Sequence, residues 1–316
     1  HGTEEDVDDV LRMLEREGIF EPPAGADAIW ASRKEAKRDG VRVGPLLAIV
    51  WGLALVGAAG GWFGWQKYVE SRHAQAAHLI AQARTEALNG DHSALVDSER
   101  HLVEARDLSP HDVRIPGLLL FVQSQRALEE GSFDAGYLRP TVERAKRDHA
   151  DLAYIDMAQA VLDASDNDTT KARADLASAL HRAPNDGMLL YLAGQLEQRL
   201  GDASAQDHLT QATQKEPALA AAAIALAEWK NDDGGREEAL ALLDGVLARY
   251  HSHLRAKLWR TLLGSDEVDP DQGLHELDGM AEHLLQGAPT DRLLAELVRA
   301  RLFRRKGDAQ HAGEAV

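Results

Sequence analysis

The chain contains no cysteine. A disulfide framework, a thiolate zinc site and a cysteine nucleophile are therefore excluded. A cysteine-free chain is also safe in an oxidising compartment. Aromatic residues make up only 5% of the sequence, and runs of β-branched residues are scarce, which argues against a large sheet. Basic residues are outnumbered: 35 Lys and Arg face 52 Asp and Glu, for a net charge of −17. That balance disfavours nucleic acid as a partner, because phosphate neutralisation needs a basic face. No Gly-rich phosphate loop and no G-x-S-x-G nucleophile elbow occurs. His275, Glu276 and His283 miss the zinc-protease spacing, since the second His comes eight residues after the first instead of four. His251 and His253 form the tightest His pair, in an expected solvated turn with no third ligand in view. The expectation is no catalytic residue, no metal site, no cofactor and no enzyme.

What is abundant is Ala and Leu, both strong helix formers. One stretch stands apart: "GPLLAIVWGLALVGAAGGWFGW", Gly44 to Trp65, carries no charged residue. As a helix, residues 43–65 reach roughly 34 Å, enough for a hydrocarbon core of about 30 Å. Pro45 falls in the first turn, where a missing N–H is harmless. Trp62, Trp65 and Tyr68 cluster at the far end, as interfacial aromatics do. The alternative is a helix buried in a globular core. Arg33, Lys34, Lys37, Arg38 and Arg42 precede the stretch, and only Lys67 and Arg72 closely follow it. Read as a membrane span, it leaves the N-terminus in the cytoplasm and carries the remainder across, which in a Gram-negative cell means an inner-membrane anchor and a periplasmic domain. Gly57, Gly60, Gly61 and Gly64 form two overlapping G-x-x-x-G spacings. They would let two membrane helices approach closely, in a homo- or hetero-oligomer, or they reflect simple tolerance of Gly.

Three segments define the organisation: residues 1–42, 43–65 and 66–316. In the first, "TEEDVDDVLRMLEREGIF" reads as a short amphipathic helix, with Thr3 as N-cap and Val7, Val10, Leu11 and Leu14 on one face. A second short helix is expected over about 26–38. The first 30 residues are acidic and lack the apolar core of a secretory signal.

The third segment repeats. Ala172, Ala205 and Ala239 fall 33 and 34 residues apart. Leu176, Leu209, Leu243 and Leu277 keep the same offsets, as do Ala179, Ala212, Val246 and Met280, and upstream Ala160, Ala193 and Ala227. Pro184 and Pro217 close units, and Gly90, Gly201 and Gly307 mark helix ends. Pro140 should kink its helix or make it start late. A last first helix, about 290–306, begins a unit left unfinished.

This pattern resembles the tetratricopeptide repeat (TPR), a helix–turn–helix unit of about 34 residues. The resemblance covers 66–316 and implies an all-α fold: one transmembrane helix followed by an α-solenoid of antiparallel pairs with a concave face. The family's usual Trp and Gly in the first helix are mostly absent. Transferring its groove positions points to Tyr154, Met157, Leu190, Gln198, Ile224, Glu228, Arg255 and Leu258 as partner contacts. The carboxylate-clamping residues of chaperone-tail binders are missing, since Gly187, Leu190, Gly194, Ala221 and Glu228 stand there. The layout also resembles the bitopic TPR subunit that accompanies the bacterial Sec translocon, and assembly factors for cytochrome c. It implies protein partners in the membrane or periplasm, met either as a scaffold or chaperone-like factor or as a fixed subunit of an envelope machine. A periplasmic enzyme with an unrecognised site is the remote alternative.

Overall fold

The computed structural model describes residues 43–129, 135–148 and 150–314, with the side chains of residues 43–61, 63, 309, 310 and 314 left out. The expected helices of the first 42 residues and the basic flank of the apolar stretch lie outside the described residues.

Among the described residues every regular element is helical. The long α1 (Val43–Asn89) is followed by α2 (His92–Leu108), α3 (Arg114–Glu129), a 3-10 turn (Gly136–Leu138) and α4 (Arg139–Arg147). Then come α5 (Leu152–Ser165), α6 (Thr169–Arg182), α7 (Gly187–Leu200), α8 (Ala205–Lys215), α9 (Ala220–Asp232), α10 (Arg236–Arg249) and α11 (Leu254–Gly264). The series ends with α12 (Pro270–Gly279), α13 (Ala281–Gln286), α14 (Pro289–Lys306) and α15 (Ala309–Glu314).

Two compact units divide the chain, residues 1–68 and 69–316. The backbone of the apolar stretch is helical, as the first part of α1. No helix is long and apolar enough to cross a membrane among the described residues. The side chains of 43–61 are not among them, so the expected span itself lies outside that statement. Gly57, Gly60 and Gly61 share that exclusion, while a Cβ built on Gly64 meets nothing within 4 Å.

In the second unit the helices pair in sequence: α5 with α6, α7 with α8, α9 with α10. The residues that recur in the sequence form the seams. Ala172, Leu176 and Ala179, then Ala205, Leu209 and Ala212, then Ala239, Leu243 and Val246 are all buried. Ala160, Ala193 and Ala227 are buried on the facing helices. Small residues are needed there because backbones approach: a Cβ on Gly194 would lie 2.7 Å from Leu209 Cγ and 3.0 Å from the Ala205 carbonyl oxygen. First helices also stack on each other, α3 on α5 and α7, and α11 on α14.

The helix ends follow local chemistry. Asp151, Asp168, Asp186 and Asp269 accept backbone N–H bonds as N-caps, satisfying donors the first turn leaves free. Gly90, Gly201 and Gly307 each take a left-handed φ of 71–81°, which a side chain resists. Pro140 sits in the first turn of α4, so the helix starts late, after the 3-10 turn, and no kink is required. The unit expected to begin near Thr290 does so as α14.

Candidate functional site

The eight expected partner residues divide sharply. Met157, Leu190, Ile224 and Leu258 are buried among the helices. Tyr154 is half-buried; it packs against Gly117, and its hydroxyl donates to Asp186 Oδ2 at 2.9 Å. Burial and the Asp186 charge push its phenol above the usual tyrosine range. Gln198 is exposed. Glu228 and Arg255 come together, with Ile224, in the wall of a small cleft.

That cleft is lined by Gly90, Glu129, Tyr191, Gln195, Ala221, Ile224, Ala225, Glu228, His253 and Arg255. These residues come from the end of α1, from α3, α7 and α9, and from the start of α11. Sequence reasoning missed Glu129, Tyr191 and the neighbouring Asp291, and placed His253 only in a solvated turn, because the register of a repeat says nothing about contacts between units that are not neighbours. Asp291 carried one local signal: it stands in the first turn of α14, two residues after Pro289.

Arg255 is the centre of the cluster. Its Nε donates to Asp291 Oδ1 at 2.7 Å and its Nη2 to Thr290 Oγ1 at 3.1 Å. Its Nη1 lies 3.5 Å from Glu129 Oε2. The side chains of Asp291 and Glu129 are 1% and 3% exposed, so neither carboxylate draws on solvent to hold its charge. Asp291 Oδ2 also accepts the Ala288 N–H at 3.1 Å. Glu129 Oε1 accepts from Gln125 Nε2 at 2.9 Å and from the Tyr191 hydroxyl at 3.3 Å. The Thr290 hydroxyl donates to the Glu129 carbonyl at 3.2 Å.

The electrostatics are unbalanced. Burial raises the Glu129 carboxyl above its ordinary value, although Arg255 and the Gln125 and Tyr191 hydrogen bonds oppose it. Burial works against the Arg255 charge too, but Glu129 and Asp291 outweigh it and hold the guanidinium above its usual value. Glu228 faces the same cleft, and burial pushes it up to about 7, against the pull of Arg255 and the Trp259 indole. Three carboxylates thus share one guanidinium.

The expectation of a solvated turn at His251 and His253 is corrected for the second residue. His251 is exposed, but His253 is only 2% exposed. Its Nε2 lies 3.0 Å from the Asn89 carbonyl, and its Nδ1 accepts the Ala256 N–H at 3.4 Å as the N-cap of α11. Both roles at once require the neutral ring protonated on Nε2. Burial lowers its pKa accordingly, with the Arg255 charge adding to the effect and Asp91 opposing it. Gly90 completes the junction: a Cβ there would stand 3.1 Å from the Ala221 Cβ and 3.0 Å from Gln125 Nε2.

Among the described residues, no three His, Asp or Glu side chains converge as metal ligands. The cluster joins the ends of the first two helix pairs to the starts of the sixth and seventh. Side chains far apart in the repeat domain therefore meet in one place and fill the cleft between them.

No protein-family model and no curated protein sequence matches the chain. Solved structures do. The chain is similar to one from the APC/C heterotetramer Cut9–Hcn1, with a TM-score of 0.58 and 13% identity over 75% of this chain and 44% of that one. It is also similar to human IFIT1, solved as a dimer with m7Gppp-AAAA, with a TM-score of 0.52 and 12% identity over 71% of this chain and 53% of that one. These neighbours are TPR proteins, and the likeness establishes an all-helical, TPR-like solenoid fold. The chain spans about half the length of either.

Proposed function

We propose that the protein is a membrane-anchored scaffold that holds other proteins through its helical-repeat domain. The observation that carries this reading is the repeat itself: stacked helix pairs with buried Ala–Leu seams. Such arrays present extended surfaces to polypeptides, and the similarity to Cut9, solved in complex with Hcn1, is in keeping with that role. Exposed Gln198 and the cleft at Gln195 and Glu228 are the contact positions.

The anchor is the uncharged stretch from Gly44 to Trp65. Its length and basic N-terminal flank support a bacterial inner-membrane location, with the N-terminus cytoplasmic and the repeats periplasmic. Trp62, Trp65 and Tyr68 are 68%, 63% and 54% exposed, which suits rings placed at a membrane–water interface.

Crosslinking in native membranes followed by mass spectrometry tests the proposal. The expected result is adducts from the inner face of the repeats to several membrane or periplasmic proteins at less than equal ratio. A fixed ratio to a few neighbours would instead make the protein a permanent subunit of an envelope machine. The absence of any protein adduct would remove the scaffold reading.

A further inference from the structure

The cluster around Arg255 does more than fill space, because several of its contacts join residues more than 120 positions apart. His253 meets Asn89 across 164 residues, and Thr290 meets Glu129 across 161. Arg84 on α1 also reaches Glu216, 132 residues on, at 3.1 Å. These contacts tie the first two helix pairs to the fourth, sixth and seventh. On the proposed reading they lie on the face a partner would use, and they bury two carboxylates around a half-buried guanidinium.

We propose that the Arg255–Glu129–Asp291 cluster, with Thr290 and His253, is an autoinhibitory latch that holds the repeat array closed over the face a partner would use. The latch rests on the reading that partners enter at this face, but it is intramolecular and acts whether or not a partner is present.

The charges set the sign. Glu228 on α9 is faced by Arg255 and Trp259 of α11, by Glu129 of α3 and by Asp232 of its own helix, and Tyr191 of α7 lies within its field. When Glu228 is protonated, Arg255 is shared by two carboxylates. When it ionises, a third uncompensated charge enters a site with little solvent. Closure is therefore favoured below the pKa of about 7 that the closed form gives Glu228, and it weakens as pH rises through that value. In an open array the residue returns toward its ordinary value of 4.5. Linkage then gives about a tenfold fall in the closed-to-open ratio between pH 6 and 8.5. His253 acts in the opposite sense at lower pH. It must be neutral to accept from Ala256 while donating to Asn89, and it is faced by Asp91, Arg255 and Asp291. Its protonation loosens the same junction, so closure also declines toward strongly acidic conditions.

The absence of cysteine makes the test direct. Spin labels on Ser93→Cys and Ser252→Cys, both exposed and on either side of the Asn89–His253 contact, report opening by double electron–electron resonance in the full chain. The expected result is one short distance at pH 6 and a longer second population that grows about tenfold relative to the first by pH 8.5. Glu228→Gln should hold the short distance throughout. Thr290→Val should enlarge the open population at both pH values, with helicity unchanged by circular dichroism. An unchanged distance distribution between pH 6 and 8.5 in the unmodified background, or the same pH response in Glu228→Gln, would overturn the latch. Neither result depends on whether a protein partner exists, so the scaffold reading stands or falls separately.

Discussion

At the scale of single residues, the fold gathers an electrostatic cost around Arg255 and its three acids. Replacing Arg255 with Met leaves Glu129 and Asp291 buried without a cation, a loss of about 3–5 kcal/mol by analogy with broken buried pairs. Urea unfolding of the variant should show it as a lower midpoint with an unchanged slope. The titrating groups make a separate prediction. Glu228 has its pKa raised from 4.5 to about 7. Its contribution to stability is thus fully present below 4.5 and is lost as pH rises through 7. His253 is lowered from 6.5, so its contribution is fully present above 6.5 and is lost as pH falls through the depressed value. Melting temperature against pH should therefore fall less steeply from 4.5 to 7 in Glu228→Gln than in the parent. An identical slope in the two proteins would mean that Glu228 is not strained by burial.

At the scale of the helix pair, the seams carry the stability. Leu209 is fully buried between α7 and α8, and Leu209→Ala should cost about 2–5 kcal/mol in urea unfolding. Gly194→Ala should be destabilising as well, since its new methyl meets Leu209 and the Ala205 carbonyl closer than atoms allow. The same change at Gly245, where a Cβ would meet nothing within 4 Å, should be neutral or stabilising, as Ala is the better helix former. This contrast explains what the sequence made legible. Ala172, Ala205 and Ala239 recur because every pair solves one packing problem in one way, and a local, periodic solution is visible as a period. Gly201 and Gly307 are legible because a left-handed residue at a helix end is usually Gly, although Asn167 takes that conformation after α5. The Arg255 cluster has no period. Glu129 sits in "RALEEG" like any acid near a helix end, and only the closure of the array shows that it meets α11 and α14. Met157, Leu190, Ile224 and Leu258 match the groove positions of the resembling family in register, yet in this fold all four are buried.

At the scale of the whole molecule, the scaffold reading joins two parts with different physics. One is an uncharged stretch that suits lipid; the other is a strongly acidic repeat domain whose surface repels copies of itself. A reporter fused after Trp65 should be active only on the outer side of the membrane, and activity confined to the cytoplasm would reverse the orientation. The central claim is that polypeptides are held on the inner face of the repeats. The most direct measurement places a photoreactive amino acid at Gln195 or Gln198 on the inner side and, as controls, at exposed His181 and Asp207 on the second helices of their pairs. Irradiation of native membranes should give discrete protein adducts from Gln195 and Gln198 and none from His181 and Asp207. Adducts from the controls alone, or from none of the four positions, would contradict the account.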